Sequence, residues 1–263
     1  MDLNLKNKLA LITGSTAGIG YAIAESLAAE GARVIVNGRT QEGVDAAVAA
    51  IRKTSGQEVL GFAGDLSKAT AAETVVNLYP GIEILVNNLG IFEAKPFEEI
   101  PDADWQRFFD VNVLSGARLA RLVLPAMRRA DWGRIIFISS ESGVHIPAEM
   151  VHYGMTKAAQ IAVARGIAET VAGTGITVNS VLPGPTRSRG VGDFVESLAR
   201  EQGKSAAEFE KEFFESVRPT SLIKRFASTR EVATMVAYLA SPLASATTGA
   251  ALRVDGGAVK SAF

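Results

Sequence analysis

Seven short apolar runs, separated by helical patterns, organise this chain of 263 residues. The runs are rich in Val, Ile and Leu and lack a polar face, which is typical of parallel strands covered on both sides. Amphipathic stretches such as 22–30 and 158–171 lie between them. This alternation predicts right-handed βαβ crossovers and therefore an α/β, doubly wound fold with a central parallel sheet of about seven strands. The predicted strands are 9–13, 33–37, 59–63, 82–87, 134–139, 176–181 and 250–254.

One segment interrupts this alternation within what we otherwise predict to be a single domain over residues 1–263. Between Gly184 and Lys224 no strand is predicted, and charged residues mix with phenylalanines. A connection of this length in a compact domain is usually a functional lid with short helices of its own. Because it leaves the carboxyl end of a strand, where doubly wound sheets bind ligands, we predict a helical lid at about 188–221. The alternative is a surface insertion without a role.

The composition excludes several kinds of site and partner. A formal net charge of −1 argues against binding to nucleic acid or to a membrane surface through bulk charge. The absence of cysteine excludes disulfides, thiol catalysis and thiolate metal ligands, and no His/Asp/Glu cluster has convincing metal-ligand spacing. The start of the chain lacks the pattern of a signal peptide, and no apolar stretch is long enough to span a bilayer. We therefore expect a cytoplasmic protein.

A glycine-rich turn follows the first predicted strand. Residues 13–20 are Thr-Gly-Ser-Thr-Ala-Gly-Ile-Gly, and a helical pattern begins directly afterwards. Glycines let the backbone approach a pyrophosphate, and a helix N-terminus supplies free N–H groups and a favourable dipole. Three residues separate Gly14 from Gly18, so the spacing differs from the more common G-x-G-x-x-G. The strand–turn–helix context predicts a dinucleotide site, and the alternative is a tight connection without a ligand.

Tyr153 and Lys157 lie four positions apart in a predicted helix, which places both side chains on one face. A phenol has an unperturbed pKa of about 10, and a neighbouring ammonium is expected to lower that pKa toward the range useful for acid–base catalysis. Such a pair also occurs by chance on solvated helices. Ser140, one short loop earlier, and the glycine-rich turn together favour a catalytic site.

These motifs together resemble the short-chain dehydrogenase/reductase family over essentially the full length of the chain. The turn at 13–20 matches the family's Thr-Gly-x-x-x-Gly-x-Gly, and 87–90 is similar to its Asn-Asn-Ala-Gly motif. The segment 183–188 resembles Pro-Gly-x-x-x-Thr with serine in place of threonine, and 254–257 matches the usual end of the last strand. Leu89 replaces a small alanine, so we expect different packing beside the cofactor's ribose.

The resemblance implies a Rossmann fold and a catalytic set of Asn112, Ser140, Tyr153 and Lys157. Tyr153 would donate a proton to a carbonyl oxygen during reduction, or remove one from an alcohol during oxidation. Lys157 would lower the pKa of Tyr153 and bind the nicotinamide ribose. Ser140 would hydrogen-bond the same substrate oxygen. Asn112 would hold a water that links Lys157 to solvent.

The tip of the second strand bears on the choice of cofactor. Relatives that prefer NAD place an Asp there, which binds the ribose 2′-hydroxyl and repels a 2′-phosphate. Here Gly38 takes that position and Arg39 follows, with no carboxylate nearby in the sequence. A guanidinium suits phosphate, so NADP(H) is favoured over NAD(H), although Arg39 could instead be a solvated turn residue. The cofactor-binding candidates are Gly14, Ser15, Thr16, Gly18, Ile19, Gly20, Arg39, Asp65, Leu66, Asn88, Gly90, Tyr153, Lys157, Pro183, Gly184 and Ser188.

The sequence thus predicts an NADP(H)-dependent oxidoreductase that acts on a small-molecule carbonyl or secondary alcohol. The alternatives are an NAD-dependent secondary-alcohol dehydrogenase and a regulator that senses the dinucleotide without turnover. Two nearby histidines, His145 and His152, are interpreted as structural or exposed rather than catalytic. Candidate substrate contacts, which suggest an apolar substrate, are Phe92, Ile146, Pro147, Met150 and the lid residues Phe194, Phe209, Phe213 and Phe214.

Two long helical patterns, near 102–129 and 152–171, carry many small and apolar residues. Because related enzymes assemble through these helices, we expect a homo-tetramer with closed symmetry. The alternative is that the small residues only cover the sheet. They include Ala117, Ala120, Ala158, Ala159 and Ala162.

Overall fold

The computed structural model describes residues 2–188 and 204–262. Its strands are β1 (Leu9–Ile12), β2 (Arg33–Gly38), β3 (Val59–Ala63), β4 (Ile84–Asn87), β5 (Gly133–Ile138), β6 (Ile176–Pro183), β7 (Thr186–Arg187), β8 (Ala227–Ser228) and β9 (Ala251–Val254). Seven of them form one parallel sheet in the order β3-β2-β1-β4-β5-β6-β9, and β7 pairs with β8. The winding direction reverses beside β1, which opens a crevice at the carboxyl edge of the sheet.

The helices alternate with the strands along the described chain. A π-helical turn, Phe109–Leu114, joins the fourth helix to the fifth without a break. The last helix begins with a capping box between Ser228 and Glu231. The α-helices are α1 (Gly18–Ala29), α2 (Gln41–Ser55), α3 (Ala69–Leu78), α4 (Asp102–Phe108), α5 (Ser115–Ala130), α6 (Val151–Thr170), α7 (Ala206–Ser216) and α8 (Thr229–Ala240).

Two apolar layers cover the sheet, one on each face. Successive residues of a strand point to opposite faces, so Ile12 packs in the layer with α1 and α8 while Leu11 packs in the layer with α3, α5 and α6. Both residues are completely buried. This double coverage explains why the strands lack a polar face and why the active residues lie beyond the strand ends.

All seven predicted strands of the main sheet are present, with ends that differ by at most two residues. The short pair β7 and β8 was not predicted, because two residues carry no detectable periodicity. Within the predicted lid, residues 189–203 lie outside the described residues, and α7 occupies part of the remainder. In the described part of the chain, no helix combines the length and the apolar character needed to cross a membrane.

Candidate active site

The turn between β1 and α1 has the shape of a pyrophosphate cradle. Gly14 and Gly18 both have φ of +61°, a backbone region that side chains disfavour. A Cβ on Gly20 would lie 2.4 Å from the carbonyl oxygen of Gly14, so the turn and the helix can approach only without one. The N-terminus of α1 has neither a side-chain cap nor an acidic residue in its first turn. Its N–H groups therefore suit a bound anion, and the fit to a dinucleotide is good.

Asn37 fixes this turn from the neighbouring strand, a role that our sequence analysis missed. Its Oδ1 accepts from Gly14 N at 3.1 Å, and its backbone N–H donates to the Ser15 hydroxyl at 2.9 Å. Its Nδ2 donates to the carbonyls of Phe62 and Gly64 at 3.1 and 3.0 Å. The sequence did contain a signal for this role: a polar residue ends an otherwise apolar buried strand, and a buried amide requires hydrogen-bond partners.

Asn88 supports the same turn from β4. Its Nδ2 donates to the carbonyls of Thr13 and Gly14 at 2.9 and 3.0 Å. The Thr13 hydroxyl accepts in return from the backbone N–H groups of Asn88 and Leu89, at 2.9 and 2.8 Å. The side chain of Asn88 therefore shapes the cradle. Leu89, the unusual residue of this motif, packs against the apolar layer that contains β4's Leu85.

Most of the remaining cofactor candidates meet at the carboxyl edge of the sheet. A Cβ on Gly90 would lie 3.6 Å from Lys157 Nζ, and one on Gly18 would lie 3.5 Å from Ser188 Cβ. Gly184 packs closely against Asp255 at the end of β9. The exception is Leu66, whose side chain is buried in the apolar core. Ile19 and Gly20 lie in the first turn of α1. The candidates that follow or end a strand are Ser15, Thr16, Arg39, Asp65, Asn88 and Pro183.

Arg39 lies exposed just after β2, at the start of α2. A carboxylate does lie near it, contrary to the expectation from the sequence: the charge of Arg39 acts on Asp65. Burial raises the pKa of Asp65, but hydrogen bonds from Ser67 and the charges of Lys68 and Arg39 bring it below its ordinary value. Asp65 accepts from Ser67 N and Oγ at 3.0 and 2.7 Å, so these bonds hold it in its own turn.

Ser140 and Tyr153 meet where β5 ends and α6 begins. The serine hydroxyl accepts from Ser142 N at 3.1 Å and lies close enough to the phenol to affect its pKa. Loss of solvation raises the pKa of Tyr153 to about 12, the nearby Ser140 hydroxyl lowers it in part, and the charge of Glu141 raises it further. The expected depression of this pKa by Lys157 is therefore absent. The phenol holds its proton at neutral pH and is ready to act as an acid.

Lys157 lies beneath the tyrosine, with its Nζ 5.6 Å from the centre of the Tyr153 ring. Burial lowers the pKa of Lys157 to about 7 from the ordinary lysine value of 10.5. The ammonium donates to the Ile138 carbonyl at 2.9 Å and to Gln160 Oε1 at 3.1 Å. Desolvation thus acts on both members of the pair, because it disfavours the charged form of each side chain.

Asn112 is buried in the π-helical turn, where both the oxygen and the nitrogen of its carboxamide make hydrogen bonds. Oδ1 accepts from Ile91 N at 2.8 Å, and Nδ2 donates to Ile91 O at 3.0 Å and to Thr156 Oγ1 at 2.9 Å. Its backbone carbonyl accepts from Gln160 Nε2 at 2.6 Å. The side chain of Gln160 links this carbonyl to Lys157 Nζ.

The positions of the two histidines agree with their interpretation as structural or exposed residues. His152 is completely buried against the rings of Phe108 and Trp105, with centroid distances of 4.1 and 6.1 Å. Burial lowers the pKa of His152. His145 is exposed in the loop after β5. Neither histidine has a place among the residues around the Tyr153 phenol.

The loop after β5 carries a buried carboxylate. Glu141 has a side chain only 5% exposed, and its Oε1 lies 3.4 Å from Arg218 Nε. Burial raises the pKa of Glu141, and the charge of Arg218 opposes this shift. Arg218 also reaches Glu149 Oε1 at 3.5 Å. Nothing in the local sequence distinguished Glu141 from a surface residue, because its partner is 77 positions away in the chain.

The apolar substrate contacts expected from the sequence are only partly in place. Phe92 is 68% exposed and meets the Tyr153 ring edge-on, with centroids 6.4 Å apart. Ile146 is also exposed, whereas Pro147 is buried. The phenylalanines near α7 form a cluster of their own and do not support the predicted lining; Phe194 lies outside the described residues. That cluster contains Phe209, Phe213, Phe214 and Phe226.

Comparisons with known proteins agree with this arrangement. A family model described as enoyl-(acyl carrier protein) reductase matches residues 14–259. The uncharacterized oxidoreductase YvrD of Bacillus subtilis is 49% identical over 99% of this chain and 100% of its own. D-beta-hydroxybutyrate dehydrogenase of Cupriavidus necator is 34% identical over 96% of this chain and 98% of its own.

A solved structure extends the likeness to three dimensions. L-sorbose reductase from Gluconobacter frateurii, complexed with NADPH and L-sorbose, has a TM-score of 0.93 and 32% identity. The match covers 99% of this chain and 100% of the reductase. This chain therefore belongs to the short-chain dehydrogenase/reductase family and is an oxidoreductase that acts on CH–OH and C=O groups.

Proposed function

We propose that this protein is an NADP(H)-dependent carbonyl reductase with Tyr153 as its general acid. The observation that carries the proposal is that three groups meet at the carboxyl edge of the sheet: the Ser140 hydroxyl lies near the Tyr153 phenol, and Lys157 Nζ lies 5.6 Å from the centre of the phenol ring. A sensor without turnover would not need this set of groups.

Each side chain has a distinct part in the proposed reaction. When bound, the dinucleotide supplies the hydride that the carbonyl carbon accepts. Tyr153 Oη donates its proton to the carbonyl oxygen, and Ser140 Oγ donates a hydrogen bond to the same oxygen. Lys157 holds a positive charge near the phenolate that remains. The cradle at Gly14 and Gly18 would hold the pyrophosphate.

A panel of carbonyl compounds tests this function directly. Ketones, ketosugars, steroid ketones and 3-oxoacyl thioesters would each be mixed with the protein and NADPH, and the loss of NADPH absorbance would be followed. We expect turnover with at least one class. Turnover with NADH alone would favour the NAD-dependent alternative, and tight NADPH binding without turnover on any class would favour the regulator.

Arg39→Ala is expected to weaken NADPH binding roughly ten- to a hundredfold and to change NADH binding little. A charge-assisted hydrogen bond contributes about 1.5–3 kcal/mol, and salt screening at this exposed position favours the lower figure. The NADPH complex of the sorbose reductase supports the choice of cofactor. Titration of both cofactors checks the result. The control Lys53→Ala removes the same charge at the other end of α2, and equal weakening of both cofactors by Arg39→Ala would refute the assignment.

The variant that should shift cofactor preference toward NADH, Gly38→Asp, needs a second substitution. A Cβ on Gly38 would lie 2.5 Å from Thr16 Cγ2, so Gly38→Asp alone mixes a steric effect with an electrostatic one. Thr16→Ser removes that methyl group and keeps the hydroxyl. The double variant should shift preference toward NADH, because a carboxylate repels the 2′-phosphate. Thr16→Ser alone is its control.

We propose that the segment around α7 acts as a lid, and that Arg218 attaches it to the loop after β5. Ligand binding should slow hydrogen exchange in residues 205–218, as closing lids do. Arg218→Ala should reduce this protection, because it removes the contacts with Glu141 and Glu149. Arg225→Ala, which removes an ion pair with Glu231 and a bond to the Phe226 carbonyl but no contact with the loop after β5, is the matched control. Identical exchange with and without NADPH and substrate would contradict the lid.

We propose a homo-tetramer assembled through the outer faces of α5 and α6. Gly166 lies exposed in the middle of α6, where glycine costs a helix up to about 1 kcal/mol relative to alanine. A partner helix packed closely against it would account for the residue. Ala162 is exposed on the same helix, whereas Ala120 of α5 is buried in the protomer's own core and cannot take part.

Gly166→Arg is therefore expected to lower the mass of the assembly without destabilising the protomer. An added Cβ meets no atom of its own chain within 4 Å, so the arginine would interfere only with a partner. Light scattering measures the mass, and Ala50→Arg on exposed α2 controls for the added charge. A wild-type monomer at micromolar concentration would remove the proposal.

We also propose that the protein works in the cytoplasm. The cysteine-free sequence has no disulfide that would need an oxidising compartment. Fractionation of cells that express the tagged chain would test this, and recovery outside the cytoplasmic fraction would contradict it.

A further inference from the structure

Gln160 occupies a buried position between two residues of the proposed catalytic set. It lies three residues after Lys157 in α6, so the two side chains share a helix face. Its side chain is 1% exposed. Its Oε1 accepts from Lys157 Nζ at 3.1 Å, and its Nε2 donates to the Asn112 carbonyl at 2.6 Å. No other side chain is recorded as a partner of that carbonyl among the described residues.

The chemistry of its partners determines the orientation of this carboxamide. An ammonium has only donors, and a backbone carbonyl has only acceptor sites. Rotation of the amide by half a turn would bring NH₂ against the ammonium and oxygen against the carbonyl. The orientation that makes both bonds is therefore the only satisfied one, and a buried amide that left both ends unsatisfied would be costly.

The position of Asn112 explains why its backbone meets Gln160. Its side-chain amide is already bonded to Ile91 and to Thr156 of α6, so Gln160 meets the backbone carbonyl instead. Lys157 Nζ is meanwhile held from β5 by the Ile138 carbonyl. Gln160 thus completes a connection from β5 through α6 to the π-helical turn, and every link in it is a hydrogen bond within 3.1 Å.

We propose that Gln160 is a positioning residue that holds the Lys157 ammonium in place through the backbone of Asn112. This inference rests on the proposed reductase function for its effect on turnover. The titratable side chain beside the ammonium among the described residues is Tyr153 on α6; β5 contributes the Ile138 carbonyl, and the π-helical turn contributes the uncharged Asn112. A carboxamide has no readily exchanged acidic proton to pass on, so Gln160 orients Lys157 and is not a proton carrier.

Two substitutions with opposite electrostatic effects test the proposal. Gln160→Met keeps the length of the side chain but removes the acceptor, so it should lower the pKa of Lys157. Gln160→Glu places a carboxylate beside the ammonium and should raise that pKa. We expect kcat/KM to fall by roughly tenfold in the Met variant, as for a lost hydrogen bond to a charged group. The acidic limb of the pH profile should move in opposite directions in the two variants.

The titration of Lys157 is also to be followed by NMR of the intact protein with ¹³C-labelled lysine, which requires no turnover. Gln106→Met, which removes an exposed amide bonded only to Asp110, is the matched control and should leave the titration unchanged. Opposite pKa shifts would support the role. Unchanged titration in both variants, or shifts in the same direction, would overturn it. If the Met variant does not fold, the titration of Lys157 in the nearly isosteric Glu variant decides alone. A wild-type protein that is inactive on every carbonyl compound would refute only the proposed reductase function.

Discussion

Tyr153→Phe is expected to reduce carbonyl turnover by at least about a hundredfold, the lower end for a lost general acid. The change removes one oxygen and keeps the ring that Phe92 meets edge-on. The Ser140 hydroxyl keeps its bond from Ser142 N, and the cradle between β1 and α1 is untouched, so NADPH should bind nearly as in the wild type. Steady-state kinetics and a binding titration separate the two effects.

Tyr238→Phe provides the matched control. It removes the same hydroxyl from a partly exposed tyrosine on α8, far along the chain from the proposed site. Turnover in this variant should equal that of the wild type. If Tyr153→Phe keeps more than about a tenth of wild-type turnover, Tyr153 is not the general acid.

Lys157→Met is expected to abolish most turnover and also to change how stability depends on pH. In the folded protein the pKa of Lys157 is lowered to about 7 by burial, whereas in the unfolded chain it returns to 10.5. Between these values the unfolded chain binds a proton that the folded protein has released. The wild type should therefore gain stability as pH rises through this window, by up to about 1.4 kcal/mol per pH unit.

The methionine variant lacks this contribution, so its unfolding free energy should rise less between pH 7 and pH 10 than that of the wild type. Only the difference in slope is diagnostic, because the variant also leaves the Ile138 carbonyl and Gln160 without their donor. Chemical denaturation at several pH values measures both slopes. Parallel curves would mean that Lys157 keeps an ordinary pKa in the folded protein.

The fold was predictable because its signals are local. A buried parallel strand such as β1 is an unbroken apolar run, and the glycines of the 13–20 turn mark a backbone that side chains disfavour. The order of the motifs along the chain indicated the family to which the protein belongs. Local spacing also singled out Tyr153 and Lys157, which lie four positions apart on α6, and Ser140, which lies two residues after β5.

The energetics of the site were not predictable, because they depend on contacts between distant segments. The sequence suggested that Lys157 would lower the pKa of Tyr153, but the depth of burial, which no local pattern reports, raises it. The links of Asn37 to Gly14 and of Glu141 to Arg218 likewise join separate elements. The contact between Lys157 and Gln160 is the exception, because its spacing of three residues on one helix was visible.

Transfer of the hydride itself is the most direct test of the proposed function. The protein would be incubated with NADPH deuterated at the transferable position of the nicotinamide C4 and with the carbonyl substrate that the panel identifies. Mass spectrometry of the product should find one deuterium per alcohol with the wild type, and a product signal at least about a hundredfold smaller in the same time with Tyr153→Phe. An unlabelled product, or equal labelling rates with both proteins, would contradict catalysis by Tyr153.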